Sequence, residues 1–514
     1  MDRSLRPERL LFASLGAMFC LLFAAALLGS CMLDRFDFGR YTYEYSHYEW
    51  DALYWTVPAL LALLVFMGAL TRRLSDAALR PAALCVLCAH AAFACAWVLS
   101  VRSQPLSDAQ ELLSAAQALA QGDYAFLQSP TAYLRIFPYQ LGYTALLEAL
   151  VRLFGGGAVL AAQLVNALAL CAILCALYTL TGRLFGREAQ ACVLLLGAGC
   201  VQPALMCTFV YGNLVGTAFL LVGIERMTAF LHTGRRAPFA AGVACLALAV
   251  VLKYNGLIGA LAMAITLSLR ALRTGRGRRL AAWLAAALVL AAPIGAQRGV
   301  SALYGLRTGA DFRGGQPMIL WLAMGLHEQF SRASGWYDGY SYYTYVENGA
   351  DAQVATQEAL QDIVDSLYGY AHAPSRFLHF LPDKLLSQWI EPTFQSIWVS
   401  RITHHEGGAL PWAQALYDGG AGLALEGWMN VLQTLVYLCA ALGLLRLSRG
   451  GGLLHLPLAL TVFGGGLYHM LFEAKALYIL PYFLMLLPYA AYGLCGAAAR
   501  ARALLEHHAR RTQA

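Results

Sequence analysis

The chain has 514 residues, 59% of them hydrophobic and only 13% charged, with a mean hydropathy of +0.57. Soluble domains hold about 25% charged residues, so this composition excludes an ordinary water-soluble protein. The formal net charge is +7, and the placement of the arginines accounts for it without a nucleic-acid partner.

Uncharged runs of about 20 residues, long enough to cross a bilayer core of about 30 Å, recur along the whole chain. They predict spans near 10–31, 54–71, 82–101, 158–181, 189–206, 211–231, 238–252, 255–270, 280–297, 425–446, 453–470 and 476–496. The runs are continuous and do not alternate, so they predict helices and not barrel strands. The first run, through Cys20 to Cys31, lacks a small-residue cleavage site and reads as an anchor, not a cleaved signal.

Arginines sort the connections. Arg3, Arg6 and Arg9 precede the first span, and Arg72, Arg73 and Arg80 join the second to the third. Arg183 and Arg187 follow the fourth, Arg235 and Arg236 the sixth, and Arg270, Arg273, Arg276, Arg278 and Arg279 the eighth. Arg446 and Arg449 follow the tenth, and Arg500, Arg502, Arg510 and Arg511 close the chain. With the N-terminus inside, all fall on one side, the positive-inside pattern. Both termini are then cytoplasmic, and segments 102–157 and 298–424 lie outside with the shorter pieces 32–53, Lys253 and 469–475. The stretch 138–154, with Glu148 and Arg152, must then lie along the outer surface.

This divides the chain into an N-terminal transmembrane hairpin (1–81), a transmembrane core with its first outer loop (82–297), an aromatic-rich outer loop with surface helices (298–424), and the last spans with a basic tail (425–514). A helix is expected at 352–371, ended by Pro374, and a surface helix at 374–399, broken at Pro392. The thirteen cysteines lie in or beside spans and none in the long loops, which excludes a disulfide-stapled ectodomain. The Cys85–Cys88 pair sits in an apolar run without metal-site surroundings. There is no P-loop, dinucleotide-binding glycine pattern or zinc-protease motif, and no internal repeat of the transporter kind.

The unusual polar residues collect on the expected outer face. Asp108 and Glu111, three apart, share a helix face beside a span. Ser107 and Gln110 form a capping-box pattern, and Asp108 also suits a helix N-terminus. Asp123, Arg135 and the tyrosines Tyr133 and Tyr139 follow. Lys253 interrupts VVLKYNGLIG against the charge bias, which makes it a ligand candidate. The segment 324–349 holds His327, Glu328, Trp336, Tyr337, Asp338, Tyr340, Tyr342, Tyr343 and Tyr345, suited either to an interfacial aromatic belt or to rings that stack on sugars. FEAKALY (472–478) offers Glu473, Lys475 and Tyr478 beside His469, with Glu473 and Lys475 either paired or free to meet a phosphate. Ionisable groups at membrane depth are costly and usually functional.

At SDAQELLSAAQALAQGDY…YLRIFPYQLGY (107–143), GLHEQFSRASGWYDGYSYYTYVEN with KLLSQWIEPTFQSIW, and FEAKALYILPYFLMLLPYAAYGL (472–494), the chain resembles the GT-C superfamily of membrane glycosyltransferases. The likeness is to the bacterial branch related to family 39 protein O-mannosyltransferases and aminoarabinose transferases, and it covers about residues 100–500. It departs at Ala109, where the family often has Glu, and at Leu477, where it has Arg. The resemblance implies an all-α polytopic membrane protein, a GT-C-type bundle of about 12 transmembrane helices with two large extracytoplasmic loops containing surface helices. It implies transfer of a sugar from a polyprenyl-phosphate donor to a cell-envelope hydroxyl (of a protein, lipid or polysaccharide), outside the bacterial cytoplasmic membrane. Asp108 would be the general base, and Arg135, Lys253 and Lys475 would meet the donor phosphate. Glu111, Asp123, Tyr133, Tyr139, His327, Glu328, Trp336, Tyr337, Asp338, Tyr340, His469, Glu473 and Tyr478 would surround the substrates. No cofactor is required by this chemistry, though His327 with Glu328, or His469 with Glu473, offers donors for a divalent metal. The competing readings are a transporter or flippase of lipid-linked saccharide, a polysaccharide polymerase or ligase, and a non-catalytic scaffold.

Overall fold

The computed structural model describes residues 7–38, 41–328, 332–403 and 409–513. Arg3 and Arg6 lie outside them. Among the described residues, ten helices are long and apolar enough to cross a membrane. They are Pro7–Leu28, Leu53–Thr71, Asp76–Val101, Pro138–Phe185, Asn213–Thr233, Gly256–Arg273, Gly277–Thr308, Gly420–Gly450, Leu453–Leu471 and Ala476–Ala501. The span expected at 189–206 is instead a broken pair, Arg187–Gly199 and Gln202–Thr208, bent by 46°. Arg236–Leu252 is apolar but only 17 residues long. By these helices the chain is a multi-pass membrane protein.

The outward faces agree. In Leu53–Thr71 and Asp76–Val101 only 17% and 22% of the apolar window is buried, and Leu61, Val65, Phe66 and Leu84 point outward. Such a surface suits lipid, where helices satisfy their own backbone groups. The core draws on helices from Phe12 to Leu494, and the most buried window, 83%, belongs to Ala476–Ala501. This helix crosses Gly420–Gly450 at a glycine contact. A Cβ at Gly493 would fall on the Cys439 carbonyl, and one at Gly443 on the Tyr489 carbonyl. Small residues let helices approach closely where no hydrophobic drive separates lipid from protein.

The connections differ from the all-helical expectation in one place. The short piece at 32–53 is largely an antiparallel β-hairpin, Gly29–Phe38 with Tyr41–Trp50. The sequence carries the period of two, Tyr41, Tyr43 and Tyr45 alternating with Thr42, Glu44 and Ser46. Cys31 N donates to Ile390 O over 3.1 Å, and Tyr48 OH donates to Asp383 Oδ1 over 2.7 Å, so the hairpin is docked against the 374–399 region.

That region matches its expected break. Pro374–Trp389 ends before Pro392, and Ser396–Thr403 follows. It is less of a surface helix than expected, because Lys384, Ser387 and Gln388 are fully buried. Ala352–His372 forms as expected, capped by the Asp351 carboxylate on the Gln353 and Val354 amides. Leu141–Phe154 is set off from Ala158–Phe185 by a turn of three glycines beginning at Gly155, φ 53°. Its Glu148 accepts from Arg152, Arg307 and Tyr304, so these charges are satisfied within the protein. The thirteen cysteines are all free.

Candidate active site

Five connecting segments and one helix start meet around a cavity of about 520 Å³. One wall is the start of Asp108–Gln121. Asp108 is its first residue and Glu111 lies one turn on, both lining the cavity. The expected capping box does not form. Ser107 has φ 53° and ψ −130°, makes no side-chain cap, and Gln110 bonds to Ser114 instead. A non-glycine residue at positive φ is strained, and such residues gather at functional sites.

Asp108 is held from across the cavity. Tyr211 OH, just before Asn213–Thr233, donates to Asp108 Oδ2 over 3.0 Å. Gln140 Nε2 donates to the same phenol oxygen over 2.6 Å, and Tyr133 OH lies 3.3 Å from it. The Tyr211 hydroxyl is kept protonated by burial and by the charge of Asp108, so it remains a donor. Gly142 allows this arrangement. A Cβ there would strike the Val251 carbonyl, so glycine seats the 141–154 helix against the end of Arg236–Leu252 and brings Gln140 near Lys253.

Lys253 sits in the two-helix turn, its Nζ 4.0 Å from the centre of the Tyr211 ring. Among the described residues it has no ion-pair partner. Burial lowers its pKa to about 8, against the pull of Asp108 and Glu473. The far wall is FEAKALY. Glu473 accepts from Tyr478 OH over 3.1 Å, and burial raises its pKa to about 7 although Lys475 opposes this. Lys475 does not simply pair with Glu473 as one sequence reading had it. Its Nζ lies 3.1 Å from Glu44 of the hairpin. Burial opposes its charge, but Glu44 and Glu473 outweigh that and its pKa is raised. His469 Nδ1 lies 3.0 Å from the Glu473 carbonyl, and its ring stacks on Tyr478.

Aromatic rings complete the enclosure. Phe137, Tyr139, Tyr254 and Trp321 contact one another with ring centres 5.8 to 6.2 Å apart. Tyr337, Tyr342 and Tyr343 line the cavity from the 324–349 segment, and Tyr468 and Phe472 from the opposite side.

The cavity therefore gathers Asp108, Glu111, Tyr133, Tyr139, Lys253, Tyr337, His469, Glu473, Lys475 and Tyr478. Other candidates have different surroundings. Arg135 donates to the Gln128 carbonyl over 3.3 Å, and Asp123 accepts from the Ala125 amide. His327 pairs with Asp338 over 2.8 Å, and Glu328 with Arg376 over 2.6 Å. Trp336 is buried with its indole on Ser387, and Tyr340 bonds to Asp362. These residues are held by other partners and are not among those that line the cavity. Among the described residues, no group of three or more His, Cys, Asp or Glu is placed to hold a metal.

Glu44, Gln140, Tyr211, Tyr254, Trp321, Tyr468 and Phe472 were not singled out from sequence. One signal was available for the cations. The chain has only three lysines, Lys253, Lys384 and Lys475, among 36 basic residues. Two line the cavity. The third, Lys384, bonds through Nζ to the carbonyls of Gly325 and Phe472, tying the 324–349 segment to FEAKALY. No family model, curated protein or solved structure matches this chain.

Proposed function

We propose that the protein is a glycosyltransferase that moves a sugar from a polyprenyl-phosphate donor to an acceptor hydroxyl at the outer face of the bacterial cytoplasmic membrane. The observation that carries this reading is the meeting, in one cavity, of an oriented carboxylate, Asp108, with two lysines and a wall of aromatic rings. A proton acceptor, phosphate-binding cations and sugar-stacking surfaces are the three things such a transfer needs.

In the reaction the acceptor oxygen attacks the anomeric carbon as the bond from that carbon to the phosphate oxygen breaks. The hydroxyl proton passes to Asp108, and the electron pair leaves on the polyprenyl phosphate. Attack opposite the leaving group inverts the anomeric centre. Tyr211 occupies Oδ2 of Asp108 and holds the carboxylate in place, leaving Oδ1 to take the proton. Lys253, without an ion-pair partner among the described residues, meets the departing phosphate charge, with Lys475 beside it. Arg135 is not among the cavity residues and has no part in this proposal. Phosphate is a competent leaving group, so the scheme needs no metal.

The test is transfer from radiolabelled polyprenyl-phosphate sugar in membranes that carry the wild type or Asp108→Asn. Loss of transfer in the variant supports the reading, and equal turnover removes Asp108 as the base.

A further inference from the structure

The hairpin between the first two apolar helices lies more than 400 residues from FEAKALY in sequence, yet it reaches the cavity wall. Glu44 and Lys475 approach to 3.1 Å with side chains only 11% and 17% exposed. The carboxylate is also held from behind. Gln395 Nε2 donates to Glu44 Oε1 over 3.1 Å, while Gln395 Oε1 accepts from the amide of Leu477 over 3.1 Å. One amide thus fixes both Glu44 and the backbone two residues beyond Lys475.

Gln395 is itself rigidly placed. Phe394 and Gln395 have φ of 48° and 58°, in the left-handed region that costs a non-glycine residue energy. The buried Glu391 carboxylate secures that turn, accepting from Thr393 N over 3.1 Å and from Gln395 N over 2.6 Å. The hairpin's own docking bonds, from Cys31 and Tyr48, bring it to the same place.

We propose that Glu44 is a positioning residue of the active site: its carboxylate, carried on the hairpin, holds the Lys475 ammonium at the wall where the donor phosphate binds. The proposal rests on the phosphate-binding reading of Lys475 given above. Lys475 is faced by Glu44 from the hairpin, by Glu473 from its own loop, by Asp108 from the helix across the cavity, and by the Tyr337 ring 5.8 Å away. Glu44 is the one of these that bonds to it. Without it, a buried ammonium would lose its hydrogen-bonded counter-charge and much of its reason to stay in place.

The chain's three lysines make this measurable. The full-length protein, labelled at lysine 13Cε in detergent or lipid discs, gives one titration curve for each. Glu44→Gln should lower the Lys475 midpoint by on the order of one pH unit. Glu44→Asp should restore part of the shift, and Glu49→Gln, on the same strand beside His47, should leave it unchanged. In the transfer assay, Glu44→Gln should raise KM for the polyprenyl-phosphate donor about tenfold, the loss of one charge-assisted contact, with a smaller change in kcat. Glu44→Asp should recover part of the affinity. If Glu44→Gln does not fold, Glu44→Asp carries both readouts. An unmoved Lys475 midpoint in a folded variant overturns the proposal, as does an unmoved KM where wild type transfers. A moved midpoint in a protein that transfers nothing from any polyprenyl-phosphate donor overturns the transferase reading and upholds the Glu44–Lys475 arrangement.

Discussion

Tyr211 donates to Asp108 across 103 residues of sequence, over 3.0 Å, and the same phenol carries the Lys253 ammonium on its ring at 4.0 Å. A single side chain therefore sets the relative position of the carboxylate and the ammonium. Its hydroxyl orients one and its π-face holds the other.

Asp108→Asn keeps the size of the side chain but removes the proton acceptor. Its kcat should fall by about 10²–10⁴-fold, the usual contribution of a positioned base. Tyr211→Phe keeps the ring under Lys253 and loses only the bond to Asp108. A hydrogen bond to a charged group contributes about 1.5–3 kcal/mol, so kcat should fall by roughly ten- to a hundredfold. Steady-state kinetics on both variants checks this, and a Tyr211→Phe enzyme of wild-type kcat would separate the phenol from the function of Asp108.

The Lys253 pKa, lowered to about 8 by burial, gives donor binding a basic limit. The ammonium is present below that value and is lost as pH rises through it. KM for the donor should therefore rise above about pH 8. Lys253→Arg, whose guanidinium stays charged at every accessible pH, should move this limb upward, and Lys253→Met should abolish it while weakening binding throughout. Donor KM measured from pH 6 to 10 distinguishes the three.

Lys384 predicts a pH effect on stability and not on turnover. Burial lowers its pKa to about 7, below the value of an exposed lysine. The unfolded chain then binds more protons than the folded one between the two values, so this group makes the fold more stable as pH rises from about 7 to 10. Lys253 contributes with the same sign above about 8. In Lys384→Met the rise of the thermal midpoint over that range should be shallower. The variant should also be less stable at all pH values, because the Gly325 and Phe472 carbonyls lose their donor. Scanning fluorimetry in detergent from pH 7 to 10 tests both, and an unchanged slope would reject the assignment to Lys384.

The glycine crossing offers a control remote from the chemistry. Gly493→Val places a side chain against the Cys439 carbonyl. Such overpacking costs about 1–3 kcal/mol, which should appear as a lower thermal midpoint. Gly496→Ala, near the movable end of Arg446, should be milder. Donor KM in surviving Gly493→Val protein should match wild type, since neither helix face touches the cavity there.

Ten helices were legible because they are long and apolar, whereas the spans expected at 189–206 and 238–252 correspond to a pair bent by 46° and a helix of 17 residues. Asp108, Lys253, Glu473 and Lys475 were legible as charges that an apolar chain would not otherwise hold. Tyr211 was hidden because a tyrosine at a span boundary is indistinguishable in sequence from an interfacial anchor, and only the fold shows that its hydroxyl meets Asp108. The hairpin was hidden behind the strong signals of the two helices that flank it, although its alternating tyrosines mark a strand. His327, Trp336 and Asp338 stood out for their chemistry, yet their partners are Asp338, Ser387 and His327. Residue type alone does not separate a group that lines the cavity from one whose partners lie elsewhere in the fold.

The pairing of Glu44 with Lys475 also bears on how the protein is made. Glu44 is synthesised 431 residues before Lys475, which itself directly precedes the helix Ala476–Gln513. The Glu44–Lys475 contact therefore forms only after the segment that carries Lys475 is made, and until then the hairpin lacks its counter-charge. Assembly of this wall is thereby a late, long-range step that joins two distant parts of the sequence.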